Sequence, residues 1–279
     1  MIAGAVAGTV EHVAMYPVDT IKTRMQALSH PGQRLHNMSV WGAIHTAVRR
    51  EGLAALYKGV GAVAGGAGPA HAVHFAVYEA VKQQLGGYRP GHNPLISGVA
   101  GAVATAFNDA IMTPADVIKQ RLQVVHSPYR GVLDCVRQVY HSEGPAAFFR
   151  SYRTTLVMNV PFIAMHFSVY DAAKGLLVGG EDGDEDTLLV QLVAGGVAGG
   201  SAAAVTTPFD VVKTRLQTEG VLSARRYNSS AVLPVMRRIV QEEGWSALWR
   251  GVRPRVLFNA PSAAICWGTY ESIKAFLAR

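Results

Sequence analysis

The stretch MYPVDTIKTRMQ, Met15 to Gln26, puts a proline, an acid and basic residues at the end of a run rich in Gly, Ala and Val. Proline removes a helical hydrogen bond and kinks the chain, and fixed charge is costly in an apolar segment. One such stretch would carry little information. It recurs as MTPADVIKQRLQ (Met112 to Gln123) and TTPFDVVKTRLQ (Thr206 to Gln217), with the prolines 97 and 94 residues apart. A second element follows each copy: Glu51-Gly52 before Tyr57-Lys58-Gly59, Glu143-Gly144 before Phe149-Arg150-Ser151, and Glu243-Gly244 before Trp249-Arg250-Gly251. A third closes each unit, as YEAVK at Tyr78, YDAAK at Tyr170 and YESIK at Tyr270. Elements repeated in one order and phase define an internal threefold repeat. The units run 1–90, 91–180 and 181–279 and belong to one integrated domain.

Each unit reads as a long helix, a polar loop with a short helix, and a second long helix. The first long helix carries small residues at contact spacing, Gly4 with Gly8, Gly98 with Ala102 and Gly196 with Gly200, which lets membrane helices approach closely. The second starts near Val60, Thr154 and Pro254. Between them, Ser39 to Arg50, Gly131 to Ser142 and Ser230 to Glu242 read as amphipathic surface helices. The expected architecture is an all-α membrane protein with six transmembrane helices and three surface helices. The chain opens at MIAGAVAGTV, already inside a helical pattern, which reads as a start within the first helix.

Composition agrees. Hydrophobic residues make up 49% of the 279 and charged residues 16%, against roughly 25% charged in soluble domains. No clean apolar run of about 18 residues is present, so a hydropathy scan alone is equivocal. The net charge of +7 raises the question of nucleic acid. Of 26 Lys and Arg, all but Lys82, Arg89, Lys174, Lys274 and Arg279 fall in the Pro-motif ends and the loops within repeats. That asymmetry is the positive-inside signature of membrane topology. A nucleic-acid surface would gather bases on one soluble face with stacking aromatics, and none is expected. Two cysteines, Cys135 and Cys266, supply neither a disulfide framework nor a zinc pair.

These motifs resemble those of the mitochondrial carrier family, and the resemblance covers essentially the whole chain. It implies a multi-pass protein of the mitochondrial inner membrane. The implied fold is a threefold pseudosymmetric six-transmembrane-helix barrel with three short matrix surface helices, closed alternately at each end. The resemblance implies that Asp19, Asp116 and Asp210 pair with Lys22, Lys119 and Lys213 of neighbouring repeats to close the matrix side, braced by Gln26, Gln123 and Gln217. Glu79, Asp171 and Glu271 with Lys82, Lys174 and Lys274 would close the cytoplasmic side, braced by Tyr78, Tyr170 and Tyr270. Ion pairs beside a wet cavity contribute modestly, which suits a gate that must break once per cycle. Free N–H groups at helix starts bind phosphate; by resemblance Gly59, Gly131, Gly251 and Arg150 receive cardiolipin as a structural lipid, Ser151 departing from the glycine pattern. A monomer is expected.

Cargo identity should lie between the two gates. His12 is two turns from Asp19, roughly 10 Å at 1.5 Å per residue, and counting back seven residues from each motif acid gives His12, Asp109 and Ala203. Met15, Met112 and Thr206 lie one turn nearer the gate. In the second helices the family's contact point falls at Gly66, at Met158 with Asn159, and at Phe258 with Asn259. His74, Met165, His166 and Cys266 lie one or two turns further, and His71 lies to one side. No contact position is basic, whereas nucleotide or carboxylate cargo calls for Arg or Lys. Imidazole, carboxylate and thioether suit first-row metals. EHVAMYPVDTIKTRMQ, GAGPAHAVHF, NDAIMTPADVIKQRLQ and the MN pair in MNVPF resemble the iron-importing mitoferrin branch of the family. That likeness implies transported Fe2+ as substrate and no resident cofactor, with His12, His71, Met158 and Asn159 as iron contacts. The alternative is a carrier of another small solute, such as an organic cofactor or nucleotide.

Each residue also has a plainer role. A histidine in an apolar helix is costly unless paired or functional, which favours function at His12. Met158 alone could pack and Asn159 alone could brace a helix contact; their adjacency at the contact point favours a shared role. His71 and His74 could bond neighbouring helices, and Asp109 could pair with a base. An enzyme is not expected, because no H-E-x-x-H pair, phosphate loop or nucleophile constellation is present. GGEDGDED, Gly179 to Asp186, reads as a solvated linker.

Overall fold

The computed structural model describes residues 2–27, 38–85, 94–178, 188–221, 227, 229–259 and 261–262. Three units of the same plan follow one another. In the first, α1 (Ile2–Gln26) leads through a loop to α2 (Val40–Glu51), a 3-10 turn at Leu53–Tyr57, and α3 (Val60–Gln84). The second comprises α4 (Pro94–Gln123), α5 (Val132–Glu143), a 3-10 turn at Pro145–Phe149 and α6 (Tyr152–Val178). The third has α7 (Leu188–Val205), α8 (Thr207–Gln217), α9 (Val232–Glu243), a turn at Trp245–Trp249 and a helix over 252–259, here α10.

The short helices are bounded by local chemistry. Ser39 caps α2 by accepting from the Gly42 amide at 3.1 Å. Gly52, Gly144 and Gly244 end α2, α5 and α9 at φ of 82°, 81° and 82°, a left-handed conformation that costs glycine nothing. The Glu-Gly repeat seen in the sequence is therefore a helix stop.

The apolar core sits at the end of the molecule that carries these short helices. Ile21, Met25, Val40, Ala43, Ala47 and Leu56 form one cluster. Val117, Ile118, Leu122, Cys135, Val139, Ala147 and Phe148 contribute to the second, and Val211, Val212, Leu216, Val235, Ile239, Ala247 and Leu248 form the third. Each cluster joins the last turns of a Pro-motif helix to the surface helix and 3-10 turn of its own repeat. The long helices instead leave large apolar side chains exposed, including Phe75, Phe107, Val160, Phe167 and Leu176. Such a surface suits lipid, which solvates apolar groups without burying them in protein.

The prolines act differently among the repeats. Helices α1 and α4 run through Pro17 and Pro114. In the third repeat the corresponding helix breaks at Thr206, and its two halves bend by 64°. Thr206 and Thr207 donate their hydroxyls to the carbonyls of Ala202 and Ala203, each at 2.7 Å, meeting backbone groups at the break.

Candidate substrate site and gate

Three ion pairs link α1, α4 and α8 in a closed ring. Lys119 lies 2.6 Å from Asp19, Lys213 lies 3.1 Å from Asp116, and Lys22 lies 2.9 Å from Asp210. Each pair joins two different repeats. Position sets this: Asp and Lys three residues apart share a helix face, so each helix presents its acid to one neighbour and its base to the other. The acids are largely shielded, with side-chain exposures of 10% for Asp19, 24% for Asp116 and 6% for Asp210.

The motif glutamines reinforce two of the three contacts. Gln26 donates to Asp210 at 2.9 Å and accepts from Thr214 at 3.0 Å. Gln123 donates to Asp19 at 3.2 Å and accepts from Thr23 at 2.9 Å. Gln217 does not brace Asp116: both atoms of its buried side-chain amide lack a hydrogen-bond partner, as does Gln120 Oε1. The expected third brace is absent because Gln120 stands where the other repeats have Thr23 and Thr214.

A second ring was missed in the sequence, although all six residues lay inside the repeated motifs. Arg24 forms a two-pronged contact with Glu51 at 2.8 and 2.9 Å, and Arg121 with Glu143 and Arg215 with Glu243 match it. Each arginine also donates Nε to a carbonyl of the next repeat: Arg24 to Gln123 at 3.0 Å, Arg121 to Gln217 at 3.0 Å, and Arg215 to Gln26 at 3.3 Å. A terminal carbonyl of each helix thereby receives a cation, favourable at a helix C-terminus.

Above the ion-pair ring, Asn159 Nδ2 donates to Asp109 Oδ2 at 2.6 Å, tying α6 to α4. Met158 precedes Asn159, and its Sδ lies 3.8 Å from Arg255 Nη2. Arg255 corrects the expectation of an interior without fixed positive charge. It is only 4% exposed, donating to Thr206 Oγ1 at 2.8 Å and Thr206 O at 3.0 Å, and lies 3.4 Å from Asp210. The guanidinium reaches from Met158 to the gate, where Thr206 and Asp210 engage it. The Asp109 carboxylate and Asn159 amide thus meet between α4 and α6, and the Met158 thioether turns to Arg255.

The other candidates separate. His12 lies on α1, but its side chain is outside the described residues, as are Cys266, Tyr270, Glu271 and Lys274. Met15 is buried, at 6% exposure. Met112 faces the α3 backbone, its Sδ 3.4 Å from where a Cβ on Gly66 would stand, and that same Cβ would come within 2.7 Å of Ala115. Gly66 therefore serves close packing of α3 on α4. His71 is exposed and His74 half-buried beside Phe75. Met165 is half-buried. His166 stacks between Phe162 and Tyr170, at 6.1 and 6.5 Å between ring centres, and its buried Nδ1 has no partner. Asn259 gives its amide to the Arg255 carbonyl of its own helix at 2.8 Å.

At the opposite end, Glu79 and Asp171 are exposed, Lys82 lies over the Tyr78 ring at 5.5 Å, and Lys174 is half-buried. Gly59 and Gly251 open α3 and α10 at φ of 89° and 81°, whereas Gly131 is extended. A Cβ at Gly251 would stand 2.7 Å from Gln26, so close approach requires glycine there. Arg150 is held by Glu219 at 3.0 Å and Glu143 at 3.5 Å. Burial pushes the Glu219 carboxyl above its ordinary range despite the opposing pull of Arg150. An apolar groove runs between α2 and α10, lined by Val40, Trp41, Val252, Arg253, Val256 and Leu257. Among the described residues, no three His, Cys, Asp or Glu side chains converge as a resident metal site would require.

A family model for mitochondrial carrier proteins matches residues 1–89, 91–181 and 184–279. Across 99% of this chain and 93% of its own length, the mitoferrin of Dictyostelium discoideum is 41% identical. Mitoferrin-1 of Danio rerio is 43% identical across 99% of this chain and 84% of its own length. The mitochondrial RNA-splicing protein MRS3 of Saccharomyces cerevisiae is 41% identical across 99% and 88%.

Proposed function

The chain belongs to the mitochondrial carrier family, a transporter and not an enzyme, and from that membership we propose that it imports ferrous iron across the mitochondrial inner membrane by alternating access. The observation that carries this reading is the 2.6 Å contact joining Asn159 to Asp109, with Met158 alongside. Carboxylate and amide in contact, with a thioether on the next residue, form a mixed donor set that suits a first-row divalent ion. Scattered ligands also let the ion leave again. The similarity to mitoferrins at 41 and 43% identity over nearly the whole chain supports the same cargo. A nucleotide or carboxylate cargo is less well served, because Arg255 is already engaged by Asp210 and Thr206.

The ring of three ion pairs acts as the matrix gate, so this conformation is closed toward the matrix. The tyrosine-acid motifs act as the opposing gate. Cardiolipin is a structural lipid, and the groove beside Gly251 supports this: Trp41 and Leu257 offer apolar contact and Arg253 a cation for phosphate. One chain supplies all three repeats, so a monomer suffices.

The test is uptake of iron(II) into liposomes carrying an internal metal-sensitive dye under reducing conditions. Wild-type protein should transport, and Met158→Ala, Asp109→Asn and His12→Ala should each lose most uptake while remaining folded. Wild-type-like uptake by Met158→Ala and Asp109→Asn together would remove the assigned site. A wild-type protein that moves no metal ion would remove the cargo.

A further inference from the structure

We propose that Arg255 is the positioning residue through which a cation held at Met158 loosens the matrix gate. The inference rests on the reading of Met158, Asn159 and Asp109 as a cation site. One guanidinium touches both ends of the machinery. Its Nη2 lies 3.8 Å from Met158 Sδ and bonds Thr206 Oγ1 at 2.8 Å. Its Nη1 bonds the Thr206 carbonyl at 3.0 Å and lies 3.4 Å from Asp210.

The two ends matter for different reasons. Thr206 is the point where α7 and α8 bend by 64°, so Arg255 clamps a hinge. Asp210 also holds Lys22 and Gln26, each at 2.9 Å, so this gate acid is shared by two cations.

A metal on the Met158 sulfur would sit about 2.3 Å from it. Even on the far side of that sulfur it would lie within roughly 6 Å of the guanidinium. Arg255 is 4% exposed, so little water screens that repulsion. A filled site and a closed clamp therefore oppose each other. A ligand favoured when the clamp is released shifts the protein toward the released state. An arginine beside a cation cargo thus couples cargo to opening.

The test pairs equilibrium dialysis of iron(II) with hydrogen–deuterium exchange over 203–217, in lipid nanodiscs under anaerobic conditions. In wild-type protein, bound iron should speed exchange of that segment by about threefold or more. Arg255→Gln should exchange fast without iron, gain little on adding it, and bind iron at least as tightly. Arg255→Lys keeps the charge but loses the fork and should retain the iron response; a static brace would lose it. Two results overturn the proposal: iron accelerating Arg255→Gln as much as wild type, or iron binding to wild type without changing exchange. Wild-type protein that retains no iron in dialysis removes the cargo reading itself and this inference with it, so the two failures are distinguishable.

Discussion

Gln26 donates its side-chain amide to Asp210 at 2.9 Å, across 184 residues of sequence. Gln123 does the same for Asp19, whereas Gln217 leaves both amide atoms buried and unpartnered. A hydrogen bond to a charged group contributes about 1.5–3 kcal/mol, and an unsatisfied buried group is a cost rather than a gain. Gln26→Ala and Gln123→Ala should therefore lower the melting temperature of the purified protein by about 4–8 °C. Gln217→Leu should leave it unchanged or raise it. A thermal-shift assay in one detergent checks all three. Equal losses would mean that the third interface is braced as well as the others.

The gate pairs differ in what else they touch, which makes charge exchange informative. Asp19 has Lys119 at 2.6 Å, whereas Asp210 has Lys22 at 2.9 Å and Arg255 at 3.4 Å. Single reversals, Asp19→Lys or Lys22→Asp, should abolish iron uptake by placing like charges together. The double exchange Asp19→Lys with Lys119→Asp should restore a substantial part. The exchange Asp210→Lys with Lys22→Asp should not, because the new lysine would face Arg255. Liposome uptake rates decide between these; rescue at both pairs would mean that Arg255 moves aside freely.

The threefold plan was legible because it rests on residues that have no place in an apolar helix unless a partner is supplied. Pro17, Asp19 and Lys22 mark one helix end, and two copies of the same marks fix the repeat. The short helices were legible to within a residue or two, since Ser39 caps one start and Gly52, Gly144 and Gly244 set the stops. What could not be read was which groups share an interface. Helical periodicity assigns a face but not the neighbour, so it reveals neither Arg255 at the gate nor the missing partner of Gln217. Arg24 and Glu51 were both in view, yet only the folded loop brings them within 2.8 Å. Nor does a proline reveal whether its helix bends or breaks; that depends on packing, and only the third repeat breaks among the described residues.

The arginine–glutamate links should not be equivalent. In the second repeat both side chains are buried, Arg121 at 0% and Glu143 at 4% exposure, whereas Glu51 of the first is 21% exposed. Removing one member of a buried pair leaves an uncompensated charge and costs about 3–5 kcal/mol; a half-solvated partner rehydrates and costs less. Arg121→Ala should thus be the more damaging change, lowering the melting temperature well beyond Arg24→Ala. Arg121→Lys should recover little, because an ammonium cannot reproduce the forked contact to Glu143 and the Nε bond to Gln217. Stability measured by thermal shift, with folded yield as a second readout, tests the order; a lysine variant as stable as wild type would contradict it.

The thiol of Cys135 offers a probe of the matrix-side core. It lies on α5 at 0% exposure within the second apolar cluster. Burial pushes it up to about 12 from an ordinary 9.0, with Asp134 and Glu143 adding to the effect and Arg121 opposing it. Raising a thiol pKa by three units cuts the thiolate fraction near neutral pH about a thousandfold, and the thiolate is the nucleophile. Maleimide should therefore leave Cys135 unmodified at pH 7.5 in the folded protein and label it promptly in urea. Because the group stays protonated in the fold and ionises near its ordinary value when unfolded, labelling of native protein should remain slow up to about pH 9. Peptide mass spectrometry over a pH series reads the result. Prompt labelling of folded protein at pH 7.5 would mean that α5 lifts from α4 often enough to expose the core, and that the clusters beneath the gate are not rigid supports for it.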